Sequence, residues 1–257
     1  MRIVSNHNRI TNHVLQALSP EELQHLLTQS EHVPLVYGDI LCEPGKHLEH
    51  VYFPNSAIIS LMTPVEGHAS VEIGLVGREG MAGMGLFLGI SLSPVLMLVQ
   101  GTGSAIRIKA ETFLSEIKHN PTLHRALSHY LYAFMAQVAQ TAACNCHHVL
   151  VERLARWLLM MHDRAKANEF HLTQDFLANM LGVRRVGISG AAKSLQANKL
   201  ISYRRGDITI LDRKGLERAS CRCYRDVNKI RNLMLGNPAL TPFALSLSKS
   251  SPGEMAG

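Results

Sequence analysis

The segment "ACNCHH" carries four soft ligand-type side chains within five positions, namely Cys144, Cys146, His147 and His148. Thiolate and imidazole groups can bind Zn²⁺, and thiols can also act in redox chemistry. Cys-x-Cys is, however, a poorer chelating spacing than Cys-x-x-Cys, and residues two apart on a helix point about 200° away from each other. A helix break near Asn145 would relax this constraint. We interpret these residues as packing thiols and interfacial histidines, and only as weak candidates for a metal site.

A second cysteine pair, Cys221 and Cys223 in "CRC", has the same unfavourable spacing and receives the same interpretation. The five cysteines of the chain are an odd number, and the N-terminus lacks the apolar stretch of a signal peptide. This pattern indicates free thiols and a cytoplasmic protein. No apolar run reaches the roughly 18 residues that a membrane-spanning helix needs.

Basic side chains at helical spacing mark the segment "GVRRVGISGAAKSLQANKL", residues 182–200. Arg184 and Arg185 open the segment, and Ser189 and Lys193 follow on the same face. Arginine bound to guanine is the commonest specific contact between a side chain and a base edge. We predict base contact for Arg185, whereas Arg184 could contact either bases or phosphates.

The charge distribution supports a nucleic-acid partner. Residues 1–150 carry 8 Lys and Arg against 11 Asp and Glu, whereas residues 151–236 carry 17 against 8. A basic block of under ninety residues is typical of a domain that binds the phosphate backbone of DNA. A membrane surface is less consistent with the sequence, because Trp157 is the only tryptophan that could anchor an amphipathic helix.

The elements that position these arginines follow from the local pattern. Thr173 is a suitable N-cap for a helix that Gly182 ends, and a second helix from about Arg184 to Ala197 turns Ile188 inward. Backbone N–H groups near Thr173 and Gln174 could hold a phosphate. The next stretch, "LISYRRGDITIL", predicts a β-hairpin with Arg204 and Arg205 at its tip. Together these elements predict a winged helix-turn-helix whose second helix enters the major groove.

Two further regions precede this domain. Short apolar runs punctuated by glycine between about Val33 and Ala110 predict an antiparallel β-roll or barrel. After Pro121 a long helix follows, with one apolar stripe that we interpret as a dimer seam rather than as packing on its own domain. The residues of this stripe are Leu123, Leu127, Tyr130, Phe134, Val138 and Thr141.

The order of these parts resembles the Crp-Fnr family of bacterial transcription regulators. The resemblance covers about residues 14–225, through "GDILCEPGKHLEHVYFPNSAIISLM", "GREGMAGMGLFLG", the long helix and "ANMLGVRRVGISGAAKSL" with its wing. It implies an α+β chain with a cyclic-nucleotide-binding-like antiparallel β-roll over residues 1–119, a dimerisation helix over 120–147 and a winged helix-turn-helix over 148–236. It also implies a homodimer on a palindromic operator, with RNA polymerase as a partner. Residues 237–257 have the composition of a disordered tail.

The resemblance also bears on the effector. Where the family binds a cyclic nucleotide, it uses a glutamate for the ribose and an arginine-serine pair for the phosphate. This chain has Gly83 and Ser93-Pro94 at the matching places, so a buried phosphate would lack a cation, and cyclic AMP is disfavoured. Glu72 and Glu79 are further candidates for pocket residues, together with Gly83 and Ser93, and the effector stays open.

We therefore expect a DNA-binding regulator of the Crp-Fnr type and not an enzyme, because the sequence shows no nucleophile elbow, P-loop or paired-acid motif. Three alternatives remain. One is a DNA binder that needs no effector, and another is a redox or metal sensor that uses Cys144 and Cys146. The third is a metal-dependent enzyme built on "CNCHH".

Overall fold

A computed structural model describes residues 10–165 and 167–235 of the chain. The predicted disordered tail, residues 237–257, lies outside these ranges. Two short helices come first, α1 (His13–Gln16) and α2 (Pro20–Thr28). Ser19 and Glu22 form a reciprocal capping box at the start of α2, where Pro20 supplies a preformed first turn.

Two antiparallel sheets then form the predicted β-roll. The first sheet has the order β1-β7-β3 and the second has the order β2-β6-β4-β5. Their strands are β1 (Glu31–Leu35), β2 (Ile40–Cys42), β3 (His50–Pro54), β4 (Ile58–Val65), β5 (His68–Val76), β6 (Leu96–Gly101) and β7 (Gly103–Lys109). The core of the roll contains Phe53, Met97, Ile106 and Phe113, all at most 2% exposed. The glycine-rich segment holds the short helix α3 (Met84–Phe87).

Helix α4 (Ala110–His119) leads from the roll into the long helix α5 (Pro121–His147), whose existence the sequence predicted. The Asn120 side chain caps α5 by accepting a hydrogen bond of 2.8 Å from the backbone N–H of Leu123. Pro121 occupies the first helical turn, where its missing N–H costs nothing. The helix therefore has a sharply defined start at the edge of the roll.

The predicted winged helix-turn-helix is confirmed. It consists of α6 (Leu150–Ala165), β8 (Glu169–His171), α7 (Gln174–Leu181), α8 (Arg185–Ala197), β9 (Ile201–Arg204), β10 (Asp207–Ile210) and α9 (Arg213–Ala219). Its three strands form a small antiparallel sheet in the order β8-β10-β9. A last helix, α10 (Cys223–Leu235), follows the winged helix and packs along α5. No helix among the described residues is long and apolar enough to cross a membrane.

The predicted dimer seam on α5 needs correction. Leu123 and Leu127 are fully buried in the core of their own roll, and Tyr130 is 2% exposed there. Phe134 packs against that core, Val138 is half-buried, and the Thr141 hydroxyl accepts a hydrogen bond from Arg156. Leu123, Leu127 and Tyr130 are therefore covered within the protomer and are not available to a second copy, whereas a dimer role for the partly buried Phe134, Val138 and Thr141 stays a prediction.

Two buried carboxylates connect the roll to the winged helix. Glu72 of β5 accepts hydrogen bonds from the Ser60 hydroxyl at 2.6 Å and from the Trp157 indole at 2.8 Å. Burial raises the pKa of Glu72, although these two hydrogen bonds oppose that shift. Roll residues such as Ile58 and Leu75 share one hydrophobic cluster with Trp157. The roll and the winged helix therefore pack as one body.

The second carboxylate, Glu79, pairs with Arg164 of α6. The Arg164 Nε lies 2.7 Å from the Glu79 Oε1, and the same guanidinium donates to the Leu75 carbonyl and to the Gln137 side chain of α5. Burial alone would raise the pKa of Glu79, but Arg164, and then Arg231, hold that pKa below its usual value. This arginine thus joins the roll, α5 and the winged helix at one point.

The two carboxylates should respond to pH in opposite directions. The lowered pKa of Glu79 stabilises the fold above the unfolded-state pKa, and this contribution is lost as the pH falls. Glu79→Gln should therefore cost roughly 3–5 kcal/mol near neutral pH, because Arg164 loses its buried partner. The raised pKa of Glu72 stabilises the fold below the unfolded-state pKa, and this contribution is lost as the pH rises through the folded-state pKa. Glu72→Gln should therefore gain stability relative to the wild type as the pH rises.

Thermal unfolding of the wild type and both variants between about pH 5 and about pH 8 checks this pair. The Tm of Glu72→Gln should rise relative to the Tm of the wild type as the pH increases across that range. Equal losses of stability in the two variants, independent of pH, would show that the two sites are not electrostatically distinct.

Candidate nucleic-acid interface

The helix-turn-helix is fixed by a cap at each end of its first helix. The Thr173 hydroxyl accepts a hydrogen bond of 3.2 Å from the backbone N–H of Phe176, as expected for an N-cap. Gly182 ends α7 with a φ of 61°, a left-handed conformation that glycine adopts without strain. Ala178 is 5% exposed and faces the turn, so its small side chain lets the second helix approach closely.

The second helix, α8, presents a polar face. Ile188 points inward, as the sequence predicted, and so do Ala192 and Leu195; all three are at most 2% exposed. Arg185 and Lys193 are exposed, and Ser189 is half-exposed. Arg184 is not the first helical residue but the N-cap, and its side chain makes no capping bond. The backbone N–H groups of Arg185 and Val186, in the first turn of α8, can therefore meet a phosphate.

The wing is a β-hairpin with a two-residue tip. Arg204 of β9 pairs with Asp207 of β10, so Arg205 and Gly206 form the connection. Both have positive φ values, 53° for Arg205 and 93° for Gly206, as in a type I′ turn. A left-handed backbone is unusual for arginine and projects its side chain from the tip of the hairpin.

An open groove runs between the start of α7, the outer face of α8 and the wing. Six of the eight predicted DNA-binding residues line it: Thr173, Gln174, Arg185, Ser189, Lys193 and Arg205. Arg184 and Arg204 are exposed beside the groove without lining it. The fold thus brings together residues that are up to 32 positions apart in the sequence.

Sequence reasoning missed four residues at this surface. Asp175, Gln196 and Tyr203 also line the groove, and Val186 at the start of α8 is 76% exposed. The Tyr203 hydroxyl donates to the Leu172 carbonyl at 2.7 Å, and burial raises the pKa of this phenol. An exposed valine at this place could contact a thymine methyl group. The period of α8 alone could have drawn attention to Val186 and Gln196.

Arg185 forms only a weak ion pair with Asp175 at the edge of the groove. Asp175 and Arg185 approach to 3.5 Å, but both side chains are about two-thirds exposed, at 68% and 65%. An ion pair this exposed contributes at most about 1 kcal/mol. Arg185 can therefore exchange this carboxylate for a phosphate or a guanine edge at little cost.

The four residues predicted for an effector pocket do not form one site. Glu72 and Glu79 are engaged by Trp157 and Arg164, as described above. Gly83 caps α3 with a φ of 96°, and an added Cβ would lie 3.2 Å from the His50 carbonyl. Ser93 is 2% exposed, and its hydroxyl donates to the Val95 carbonyl. Within residues 10–165 and 167–235 these four residues share no hydrogen-bond partner, because they lie on different elements with separate neighbours.

The cysteines and histidines of "CNCHH" separate into two groups. Helix α5 continues without a break to His147, so Cys144 is fully buried while Cys146 and His147 are exposed on another face. His148, the C-cap of α5, is half-buried and lies on the side of Cys144. The predicted separation of Cys144 from Cys146 is thus correct, and Cys144 and His148 lie instead beside Cys221 and Cys223.

Comparison with known proteins gives the class of this domain. Residues 152–219 match the Crp-like helix-turn-helix domain, which covers α6 to α9. No protein among the curated sequences is detectably similar to the chain. The C-terminal domain is therefore a helix-turn-helix domain of the Crp type.

Solved structures extend the likeness to the whole fold. The c-di-GMP-responsive global regulator CLP of Xanthomonas campestris is 16% identical, with a TM-score of 0.64 over 76% of this chain and 100% of its own. A CRP/FNR-family transcriptional regulator from Thermus thermophilus is 20% identical, with a TM-score of 0.63 over 74% and 98%. FixK2 from Bradyrhizobium japonicum is 13% identical, with a TM-score of 0.64 over 75% and 98%. The chain thus has the Crp-Fnr regulator fold, a β-roll followed by a winged helix, as its sequence predicted.

Two glycines of the helix-turn-helix should respond oppositely to alanine. Gly182 has a positive φ, and an added Cβ would lie 3.3 Å from Val71 of the roll. We expect Gly182→Ala to cost about 1 kcal/mol or more of unfolding free energy. Gly190 lies inside α8 with nothing within 4 Å of an added Cβ, so Gly190→Ala should stabilise the fold by roughly 0.5–1 kcal/mol.

Chemical denaturation of the two variants and the wild type measures both effects. The glycine pair is internally controlled, because the same methyl group is added at both positions. Destabilisation of similar size at both positions would show that the left-handed cap is not what Gly182 provides.

Proposed function

We propose that this protein is a sequence-specific DNA-binding transcription regulator that acts as a homodimer on a palindromic operator. The groove lined by Thr173, Arg185, Ser189, Lys193 and Arg205 supports this function best. It joins a helix N-terminus suited to phosphate, a polar helix face suited to base edges and a basic wing suited to the backbone. In this role the protein works in the cytoplasm with double-stranded DNA and RNA polymerase as partners.

The dimer in this proposal uses the face of α5 that remains exposed. Five residues follow one another at spacings of four, three, four and three, which is the heptad pattern of a coiled coil. They form the α5 outer stripe, which consists of Ser128, Tyr132, Met135, Ala139 and Ala142. Tyr132 is 58% exposed and Met135 is 61% exposed, which is unusual for such large apolar side chains on a long helix.

The outer stripe lies on the opposite side of α5 from the residues that the roll and α10 cover. Gln137 is 3% exposed on the covered side, and Ala139 and Ala142 are exposed on the other. Small side chains here let two copies of α5 approach closely, while Tyr132 and Met135 supply the apolar area. A second copy of the chain is therefore the natural occupant of this stripe.

For the effector, we propose that this regulator does not respond to cyclic AMP. Gly83 and Ser93 offer neither a carboxylate for a ribose nor a guanidinium for a cyclic phosphate, so burying the phosphate would be costly. A signal received by the roll can reach DNA through direct packing. Phe176 of α7 lies 6.3 Å, between ring centroids, from Tyr37 of the roll and 6.4 Å from Trp157.

Selection from a pool of random DNA duplexes at moderate salt tests this function. We expect a two-fold symmetric motif with half-sites about one helical turn apart, roughly 34–36 Å. Retention of DNA without any enriched motif would reduce the winged helix to a phosphate binder and refute sequence-specific regulation.

Arg185 and Arg205 should have separable roles on the selected operator. Arg185→Ala should cost roughly 1–3 kcal/mol of binding free energy and relax the preference at one base position in each half-site. Arg205→Ala should weaken binding to all sequences alike and flatten the dependence of affinity on salt.

Arg218→Ala is the matched control, because Arg218 is exposed in the same domain but does not line the groove. Its removal changes the net charge equally and should leave sequence preference unchanged. Identical losses for Arg185→Ala and Arg205→Ala, with no change in base preference, would contradict these assignments.

The outer stripe should control the oligomeric state. Met135→Glu would place a charge in the seam of two α5 helices, so we expect the dimer to dissociate and operator affinity to fall at least tenfold, by roughly 1.4 kcal/mol or more. Leu211→Glu is the control, because Leu211 is 59% exposed and lies between β10 and α9 rather than on α5. Sedimentation velocity distinguishes the two, and a Met135→Glu protein that remains dimeric would exclude this seam.

A further inference from the structure

The buried end of α5 meets the segment that follows the winged helix in a cluster of four ligand-type side chains. Cys144 and His148 come from the end of α5, whereas Cys221 lies in the connection between α9 and α10 and Cys223 is the first residue of α10. Their ligand atoms all lie within 4.8 Å of one another. The two pairs are more than seventy residues apart in the sequence, so only the fold brings them together.

We propose that Cys144, His148, Cys221 and Cys223 form a binding site for a single Zn²⁺ ion. Three thiolates and one imidazole are a typical ligand set for structural zinc. The Sγ atoms of Cys144 and Cys221 lie 3.4 Å apart, and the Sγ of Cys223 lies 3.4 Å from the Nδ1 of His148. With Zn–S bonds of about 2.3 Å in a tetrahedral site, neighbouring ligand atoms are roughly 3.8 Å apart, so only small shifts are required.

The cluster is buried, as a structural metal site must be. Cys144, Cys221 and Cys223 are at most 5% exposed and form a small cluster of their own, separate from both hydrophobic cores. His148 is half-buried and closes the cluster on the solvent side. A closed site with four protein ligands and no place for a substrate is typical of structural rather than catalytic zinc.

The charge around the cluster also fits. Three thiolates and one Zn²⁺ ion leave a net charge of −1, which a buried site must balance. Arg156 of α6 is 5% exposed and donates to the Thr141 hydroxyl, one turn before Cys144, while its Nε has no partner among the described residues. Binding of the ion would release up to three thiol protons to solvent.

The neighbouring residues can hold the ligands in place. The Gln140 side chain of α5 donates to the Cys223 Sγ at 3.0 Å, and amide donors of this kind commonly support metal-bound thiolates. The backbone N–H of His148 donates to the Cys144 carbonyl at 3.1 Å, which fixes the last turn of α5. An ion here would bind the end of α5 to the start of α10, and so hold the winged helix, which lies between these points in the chain, against the proposed dimer helix.

Cobalt substitution in the full-length protein tests the site without any use of DNA. The protein is kept reduced, stripped with a chelator and titrated with Co²⁺ in the absence of oxygen. We expect one Co²⁺ per chain, with the intense visible bands of tetrahedral coordination and a thiolate charge-transfer band, and we expect one equivalent of Zn²⁺ to abolish both. The Tm of the stripped protein should rise when Zn²⁺ is restored.

Variants identify the ligands. Cys221→Ser and His148→Gln should change the Co²⁺ spectrum and weaken Zn²⁺ binding by about 100-fold or more. Loss of a residue that only supports a ligand would weaken metal binding by about 10- to 100-fold. Cys146→Ser is the matched control, because Cys146 is an exposed thiol two residues from Cys144 and outside the cluster. It should keep the wild-type spectrum and stoichiometry.

The titration of the wild-type protein is decisive even if a variant fails to fold. Absence of a tetrahedral cobalt spectrum in the reduced wild type would overturn the proposal, as would an unchanged spectrum in a folded Cys221→Ser variant. Air oxidation that joins Cys144 to Cys221, in a protein that takes up no cobalt once reduced, would assign these thiols to a redox pair instead.

Discussion

Arg164 places one buried guanidinium where the roll, the long helix and the winged helix meet. It binds the Glu79 carboxylate, the Leu75 carbonyl of β5 and the Gln137 side chain of α5. Each of these acceptors would lose a partner if α6 moved, and a charge buried at 7% exposure cannot be left unpaired without a large cost. Arg164 therefore helps to fix the orientation of the DNA-binding groove relative to the proposed dimer helix, together with the apolar cluster that the roll and the winged helix share.

The helix-turn-helix was accessible from sequence because its signals are local. Thr173, Gly182 and the inward spacing of Ile188 and Leu195 act within one or two helical turns, and the hairpin turn is marked by Gly206. Of these residues, Thr173 and Gly206 line the groove. Tyr203 was missed because its place in the groove depends on the pairing of β9 with β10, which brings α8 and the wing together.

The two faces of α5 show where sequence reasoning reaches its limit. Both faces have a helical period, and the more apolar one, with Leu123 and Leu127, is the stronger signal for a buried stripe. Periodicity indicates that a face is covered but does not say what covers it, and here the roll does so. The proposed dimer face carries alanines and only two large apolar residues, a weaker pattern. The cysteine cluster could not be predicted from the sequence either. Neither Cys-x-Cys pair has a chelating geometry by itself, and the sequence does not show that the fold brings the two segments together.

The shared hydrophobic cluster bears on how this protein could evolve. Ile58, Met62 and Leu75 of the roll belong to the same buried cluster as Trp157, Leu177 and Ile188 of the winged helix. A DNA-binding domain with a separate hydrophobic core can be exchanged between proteins or expressed alone, because its interface with the neighbouring domain is polar. Here a cut between the two regions would expose apolar side chains on both sides. Recombination should therefore retain the roll and the winged helix as one inherited unit, and new specificities should arise by changes within the groove rather than by exchange of the domain.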